Sequence, residues 1–317
     1  MSTLPHHFTL ALRPTSGEGG RFQPTGFPNL GAALFDRPVG QNEWQAALHV
    51  ESPQSMANRL EMTTWDGPTN QQRMELGATP YVEIVDGNGQ FLTSSRLEAH
   101  RLACAYIMDS TIDGTSGRQW LQDRLHIERG HAVDYRELAA AIFDLDPLSL
   151  IHGVFFAQKA WPWQPKIARA LTCFIDADDV RVATSGGVKK DSVDISGGAT
   201  ESGYGMVPFQ RVEYTARSIS AFVSIDHEQL QSYGLGQERT DLLEAIVLYE
   251  LAELFDRDSI RLRTACDLCL LEDDSANPLP SVQEAVDNLG EALGRLDGQL
   301  GQISTLQWAE RAAKKGA

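Results

Sequence analysis

Val50-Glu51-Ser52-Pro53-Gln54-Ser55-Met56-Ala57-Asn58-Arg59-Leu60-Glu61 reads as the end of a strand running directly into a capped helix. Trp44 to Val50 has strand character, Ser52 supplies the cap, and Pro53 fits the first turn, where its missing N–H costs nothing. At about 100° per residue, Met56 and Leu60 share one face of that helix, with Gln54, Asn58 and Glu61 on the opposite one. Ser55 and Arg59 adjoin along one flank. The unpaired N–H groups and positive dipole of a helix start suit a phosphate, and Ser, Gln, Asn and Arg there add neutral donors and one fixed cation. On chemistry alone, an ordinary capped helix with a polar face is the better reading.

Working outward, Phe8 to Leu12 is strand-like and leads into the turn-rich stretch from Pro14 to Pro28. Tyr81 to Val85 and Gln90 to Leu92, separated by Asp86-Gly87-Asn88-Gly89, form a hairpin pattern. Helical periodicity covers Arg96 to Met108 and Tyr135 to Phe143, and Asp146-Pro147 opens a further helix. Extended segments return at Ala170 to Ile175, Val180 to Thr184 and Val212 to Ile225. Helices are predicted over Asp241 to Phe255 and Ser281 to Leu293. Strands and helices mix without regular βαβ alternation, which favours α+β with a mostly antiparallel sheet over a doubly wound fold. Between Thr184 and Val212 lie Gly186, Gly187, Gly197, Gly198, Gly203 and Gly205, with almost no apolar pattern. A loop that long is either functional or a floppy surface insertion, and the residues favour neither.

The chain has 317 residues, 27 Lys+Arg against 43 Asp+Glu, and a formal charge of −16. Its 42% hydrophobic and 22% charged residues exclude a disordered tail, a collagen-like repeat and a disulfide scaffold. No apolar run reaches membrane-spanning length, and the first thirty residues lack the pattern of a secretory signal. Cys104, Cys173, Cys266 and Cys269 sit in apolar surroundings, which predicts reduced thiols in a cytoplasm. The negative charge opposes non-specific nucleic-acid binding. Gln158 to Asp191 is locally basic, however, with Lys159, Lys166, Arg169, Arg181, Lys189 and Lys190 against Asp176, Asp178, Asp179 and Asp191.

Enzyme signals are poor. The sequence has no Gly-x-x-x-x-Gly-Lys-Ser/Thr, His-Glu-x-x-His or Gly-x-Ser-x-Gly. Cys266-Asp267-Leu268-Cys269 has metal or redox spacing but no second cysteine pair, and its leucine neighbours predict a buried strand. Asp176-Ala177-Asp178-Asp179 could hold a cation, but a hairpin turn between Cys173-Phe174-Ile175 and Val180-Arg181-Val182 is the better reading. No catalytic residue, cofactor or metal is expected.

The opening stretch resembles the Ser-Gln-Ser-then-basic helix of the CRISPR-associated RAMP proteins that form the backbone of Cascade complexes. The closer resemblance is to the Csb-type crRNA-binding subunits of type I-G (formerly I-U) systems. It extends to Arg21-Phe22-Gln23-Pro24-Thr25-Gly26-Phe27-Pro28, to the block from Asp146 to Phe156 containing His152-Gly153, and to Ser232-Tyr233-Gly234-Leu235-Gly236. These blocks fall in the family's order between about residues 10 and 270. The resemblance implies an RRM-like (ferredoxin-like) palm with helical insertions over residues 1–275. A Gly-rich thumb hairpin is expected at about 184–212 and a C-terminal helical extension over 276–317.

By the same resemblance, copies line up along crRNA, grip its backbone and leave its bases free to pair with target DNA. Partners would be further copies, other Cascade subunits and the helicase-nuclease recruited after target binding, in the cytoplasm and away from membranes. Arg21 and Arg59 would hold phosphates, because a planar guanidinium suits paired oxygen contacts. Gln23, Gln54, Ser55 and Asn58 would bond phosphate or the 2′-hydroxyl that marks RNA. Lys189 and Lys190 would bring mobile charge, with His152 and Lys159 completing the set. Phe22 and Phe27 could stack on bases, but burial suits them better. The rival reading is a metal-dependent ribonuclease of the same superfamily using Asp176, Asp178 or Asp179; a third is an acidic scaffold that binds only proteins.

Overall fold

A computed structural model describes residues 5–27, 31–159, 161–189, 207–271 and 278–308. Four strands and two helices form the palm. The first palm strand, His7–Pro14, is followed much later in sequence by the second, Leu171–Asp178, and the third, Ser218–Ile225; the fourth is Cys266–Leu270. Their order across the sheet is fourth, first, third, second, with every neighbouring pair antiparallel. The first palm helix, Pro53–Met62, lies between strands one and two in sequence; the second, Gln237–Phe255, lies between strands three and four. This is the β-α-β-β-α-β arrangement of a ferredoxin-like palm. The expected α+β fold with a mostly antiparallel sheet is what the chain adopts.

Alternation fixes which face of the sheet is covered. Leu10, Leu12, Cys173, Ile175, Ala177, Ala221 and Val223 are buried, whereas intervening residues such as Phe174, Ser220 and Phe222 are half-buried. The second palm helix is buried along most of its circumference: Leu243, Ile246, Tyr249 and Leu251 are all inaccessible. Helices Leu148–His152, His227–Ser232 and Val282–Arg295 and the first palm helix surround it. The chain enters it through Gly234 and Gly236, at φ +66° and +86°, a left-handed turn that glycine makes without strain. Tyr233 in that turn donates to the Leu150 carbonyl at 2.9 Å, joining two of the sequence blocks.

The hairpin Gly31–Gly40 with Glu43–Glu51 extends the palm sheet beyond strand two, and Ile260–Arg263 extends it beyond strand four. The long connection after the first palm helix builds a second sheet. Its expected hairpin pairs Glu83 with Ser94 and Ile84 with Thr93, and the Asp86 carboxylate accepts from Asn88 and Gln90 N–H at 2.8 and 2.9 Å. Ser304–Trp308 joins this sheet parallel to Val82–Val85, so the C-terminal stretch supplies a strand as well as the helix Val282–Arg295.

Three local expectations need correcting. Arg96 to Met108 forms a 3₁₀ turn, Arg101–Ala103, and a single helical turn, Ala105–Met108. Arg101 sits at φ +48° with its side chain turned inward, which a continuous helix would not allow. Strands Leu171–Asp178 and Arg181–Lys189 do not pair as a hairpin. The former pairs with Ser218–Ile225 and Glu43–Glu51, the latter with Val207–Thr215. Asp179, at φ +48°, turns the chain out of the sheet. Finally, the extended run from Val212 to Ile225 is two strands broken at Ala216-Arg217.

Candidate nucleic-acid interface

The start of the first palm helix is built around one buried carboxylate. Glu51 is 1% exposed; its Oε2 accepts from Arg263 Nη2 at 2.5 Å and Arg59 Nη2 at 3.4 Å, and its Oε1 accepts from Ser52 N–H at 3.2 Å. Two guanidiniums against one carboxylate leave the cluster cationic, and the low-dielectric setting strengthens each contact. Ser52 caps the helix as expected, its Oγ accepting from Ser55 N–H at 3.2 Å. Arg263 also donates to the Gln23 and Val50 carbonyls at 2.9 and 3.3 Å, and Thr25 N–H donates to Val50. The segment around Gln23 is thereby laid beside the helix start, bringing together two blocks far apart in sequence.

Gln54 and Asn58 are exposed and Ser55 half-buried at this end. Arg59 is differently placed from a free phosphate clamp. Its Nη1 donates to the Arg261 carbonyl at 3.1 Å and its Nη2 to the Leu262 carbonyl at 2.5 Å, besides Glu51. Its first duty is to tie the helix to the strand Ile260–Arg263.

Arg21 stands at the base of a projecting ribbon. Strands Arg181–Lys189 and Val207–Thr215 pair antiparallel from Arg181 with Thr215 to Lys189 with Val207, carrying on from the ends of palm strands two and three. Phe22 is fully buried and bridges Tyr214 through two backbone hydrogen bonds of 2.9 and 2.8 Å. That locks the chain at Arg21 to the ribbon. The Arg21 side chain is 58% exposed, its Nε 3.8 Å from the Glu213 carboxylate, which Arg211 also approaches at 3.8 Å. Val182, Val188 and Val212 share one face of the ribbon and stand exposed at 62%, 56% and 48%. Lys190, much of the Gly-rich segment and the side chains of Lys189 and Phe27 lie outside the described residues.

The remaining expected contacts separate. Lys159 is exposed, just after Gln158, whose amide donates to the Ala103 carbonyl at 2.8 Å. His152 is a correction: its side chain has no exposure and its Nε2 lies 2.9 Å from Glu250 Oε2, itself without exposure. Burial pushes His152 down to about 4 and Glu250 up to about 8, favouring the uncharged form of each. RNA cannot reach this imidazole. Nothing near it in sequence signals Glu250, which arrives from the second palm helix.

The aspartates of the metal reading are occupied by cations of the chain. Arg37 donates to Asp176 and Asp178, both at 2.8 Å, and His49 Nδ1 meets the other Asp176 oxygen at 2.7 Å. Asp179 holds Arg217 at 2.7 Å and Arg181 at 3.0 Å. Among the described residues, no group of His, Cys, Asp and Glu is arranged to hold a metal. Cys266–Leu270 is the expected strand, with burial pushing the Cys266 thiol up to about 12.

Sequence reading missed the uncovered face of the palm sheet. Phe174 and Phe222, on strands two and three, stack at 5.1 Å and 20°, with the Arg37 guanidinium 5.7 Å from the Phe222 ring centre. In RRM sheets, aromatics of the RNP segments stack bases. The signal was the alternation Thr172, Phe174, Asp176, Asp178 beside Ser220, Phe222, Ser224, legible once the register is known.

These features define a ferredoxin-like palm with a projecting antiparallel ribbon and a cationic cluster at its first helix. The chain belongs to the family described as CRISPR-associated protein GSU0053, whose model matches residues 7–182, more than half its length. No curated protein matches the chain. Among solved structures, a chain titled "CRISPR RNA-guided surveillance complex, pre-nicking" aligns over 92% of this chain and 88% of its own. Its identity is 9% and its TM-score 0.39, too distant to support an argument.

Proposed function

We propose that the chain is a non-catalytic backbone subunit of a type I CRISPR effector. It would be of the Csb type found in type I-G systems and bind one crRNA in several copies. The observation that carries this reading is the ribbon Arg181–Lys189 with Val207–Thr215, which extends a ferredoxin-like palm in a CRISPR-associated chain. It serves as the thumb, reaching across RNA toward the next copy, and its exposed valines 182, 188 and 212 supply apolar contact. Arg21, Gln54, Asn58, Lys159, Lys189 and Lys190 hold phosphates or 2′-hydroxyls. Gln23, Ser55 and Arg59 shape the cationic helix start behind them. Partners are crRNA, target DNA, neighbouring copies, other Cascade subunits and the recruited helicase-nuclease, all in the cytoplasm. By this reading residues 1–275 are the palm with its insertions and 276–317 a C-terminal extension.

The metal-dependent nuclease loses ground because Asp176, Asp178 and Asp179 already meet guanidiniums. Guide and matched target incubated with magnesium or manganese stay intact; cleavage lost in Asp178→Ala would favour the nuclease. Native gel titration of a long guide tests the assembly itself. Wild type gives a ladder of stepwise complexes, and Val182→Glu with Val212→Glu stops at isolated bound copies. A full ladder from the double variant would show that the ribbon is not the thumb.

A further inference from the structure

A cleft of about 390 Å³ opens between the turn at Arg101, the strand Val154–Phe155 and the segment from Lys166 to Arg169. His100, Arg101, Lys166 and Arg169 line it, and no aspartate or glutamate does. In a chain of net charge −16, an acid-free cleft with two arginines and a lysine is unusual. Its geometry comes from the block carrying His152-Gly153. Gly153 sits at φ +81°, and a Cβ there would fall 2.9 Å from the Ile167 carbonyl oxygen, so only glycine allows the two segments to approach so closely. The approach sets two successive carbonyls beside two guanidiniums. Arg169 Nε donates to the His152 carbonyl at 3.5 Å, and Arg101 Nη1 donates to the Gly153 carbonyl at 3.0 Å.

The two arginines differ in one respect. Arg101 meets Glu61 through Nε at 2.6 Å and Nη2 at 2.7 Å, so its charge is balanced. Arg169 is half-buried, and among the described residues no carboxylate pairs with it, with Lys166 or with His100. Arg169 feels the like charge of Arg101 more strongly than the opposite charge of Glu61, so this partly desolvated cation favours an incoming anion. Phe155 borders the cleft, is 48% exposed, and carries Lys166 Nζ 6.0 Å from its ring centre, which gives a flat apolar surface next to the charge.

We propose that this cleft is a phosphate-binding site that takes one backbone phosphate of a single-stranded RNA. Arg169 and Lys166 hold the oxygens, and Phe155 lies under the adjoining sugar or base. The proposal rests on the RNA-binding reading and adds a contact point that the helix start and ribbon do not supply.

The test uses the full chain and its variants Arg169→Gln and Lys166→Ala, with Arg257→Gln as a control remote from the cleft. One arm measures binding of a short single-stranded RNA against salt; the other measures melting temperature in inorganic phosphate and in chloride at matched ionic strength. Each cleft variant should flatten the salt slope by about 0.7, the share of one phosphate contact on a single strand, and the control should not. Phosphate should raise the melting temperature of wild type and not of Arg169→Gln. Lys166 is exposed, so its variant keeps the test valid if Arg169→Gln folds poorly. RNA binding with an unchanged slope in both variants overturns the cleft and leaves the RNA reading standing. Absent RNA binding with an intact phosphate effect overturns RNA as the source and marks a site for a free phosphate ester. Loss of both effects in wild type overturns both.

Discussion

At the scale of single residues, the interior of this palm is a set of paired charges that composition does not reveal. Glu250 and His152 titrate in opposite senses. The carboxyl, raised to about 8 from an ordinary 4.5, keeps its proton in the folded chain after the unfolded chain has lost it. It therefore favours folding fully at low pH, and that contribution is lost as pH rises through about 8. The imidazole, lowered to about 4 from 6.5, binds a proton only when unfolded across that window, so stability is lost as pH falls through it. Between pH 4.5 and 6.5 the two slopes oppose each other; above 6.5 only the carboxyl acts. Stability should fall between pH 6.5 and 8 by on the order of 1 kcal/mol per unit, and Glu250→Gln should flatten that fall. Urea midpoints across this range decide it; an unchanged slope in the variant would show that Glu250 is ionised when folded. Arg59→Ala should cost about 2–4 kcal/mol in urea unfolding, because it removes two carbonyl contacts and half of the Glu51 clamp. A loss below about 0.5 kcal/mol would mean that these contacts do not hold the helix.

At the scale of elements, the local signals were strong wherever a cap or a turn carries them. Ser52, Asp134 and Ser281 each accept from the N–H groups of the helix they open, and Asp86 closes its hairpin as its spacing suggests. What sequence could not supply was pairing at long range. Asp176 to Val182 has every mark of a hairpin, yet both flanking strands find other partners, because Asp179 turns the chain out of the sheet. The stacked Phe174 and Phe222 were invisible for the same reason: facing depends on a register set forty-eight residues apart. Arg101, which breaks an expected helix, does so to reach Glu61, forty residues away. Conversely, the His152 block stands out in the sequence, but its use does not: its carbonyls and its glycine set the approach of two segments, and its imidazole faces inward. Gly153→Ala should therefore destabilise the fold by about 2–4 kcal/mol, from strain at φ +81° and crowding against Ile167. A thermal melt within a degree of wild type would contradict this close approach of Gly153 to Ile167.

At the scale of the whole molecule, the charge of −16 and the proposal of RNA binding are reconciled by placement. Several acids are spent against arginines, at Glu51, Glu61, Asp176 and Asp179, while cations outnumber acids at the helix start and along the lining of the Arg169 cleft. On the proposed reading, such a surface would repel nucleic acid in general and still take one strand at its cationic points. Duplex DNA of random sequence should consequently bind more weakly than single-stranded RNA at every salt concentration. The central claim is that several copies share one guide, and native mass spectrometry of the affinity-purified chain co-expressed with its guide RNA tests it most directly. One RNA of defined length carrying a fixed number of copies greater than one is expected, falling to single copies with Val182→Glu and Val212→Glu. A protein that emerges free of RNA, or with one copy per RNA whatever the guide length, would contradict it.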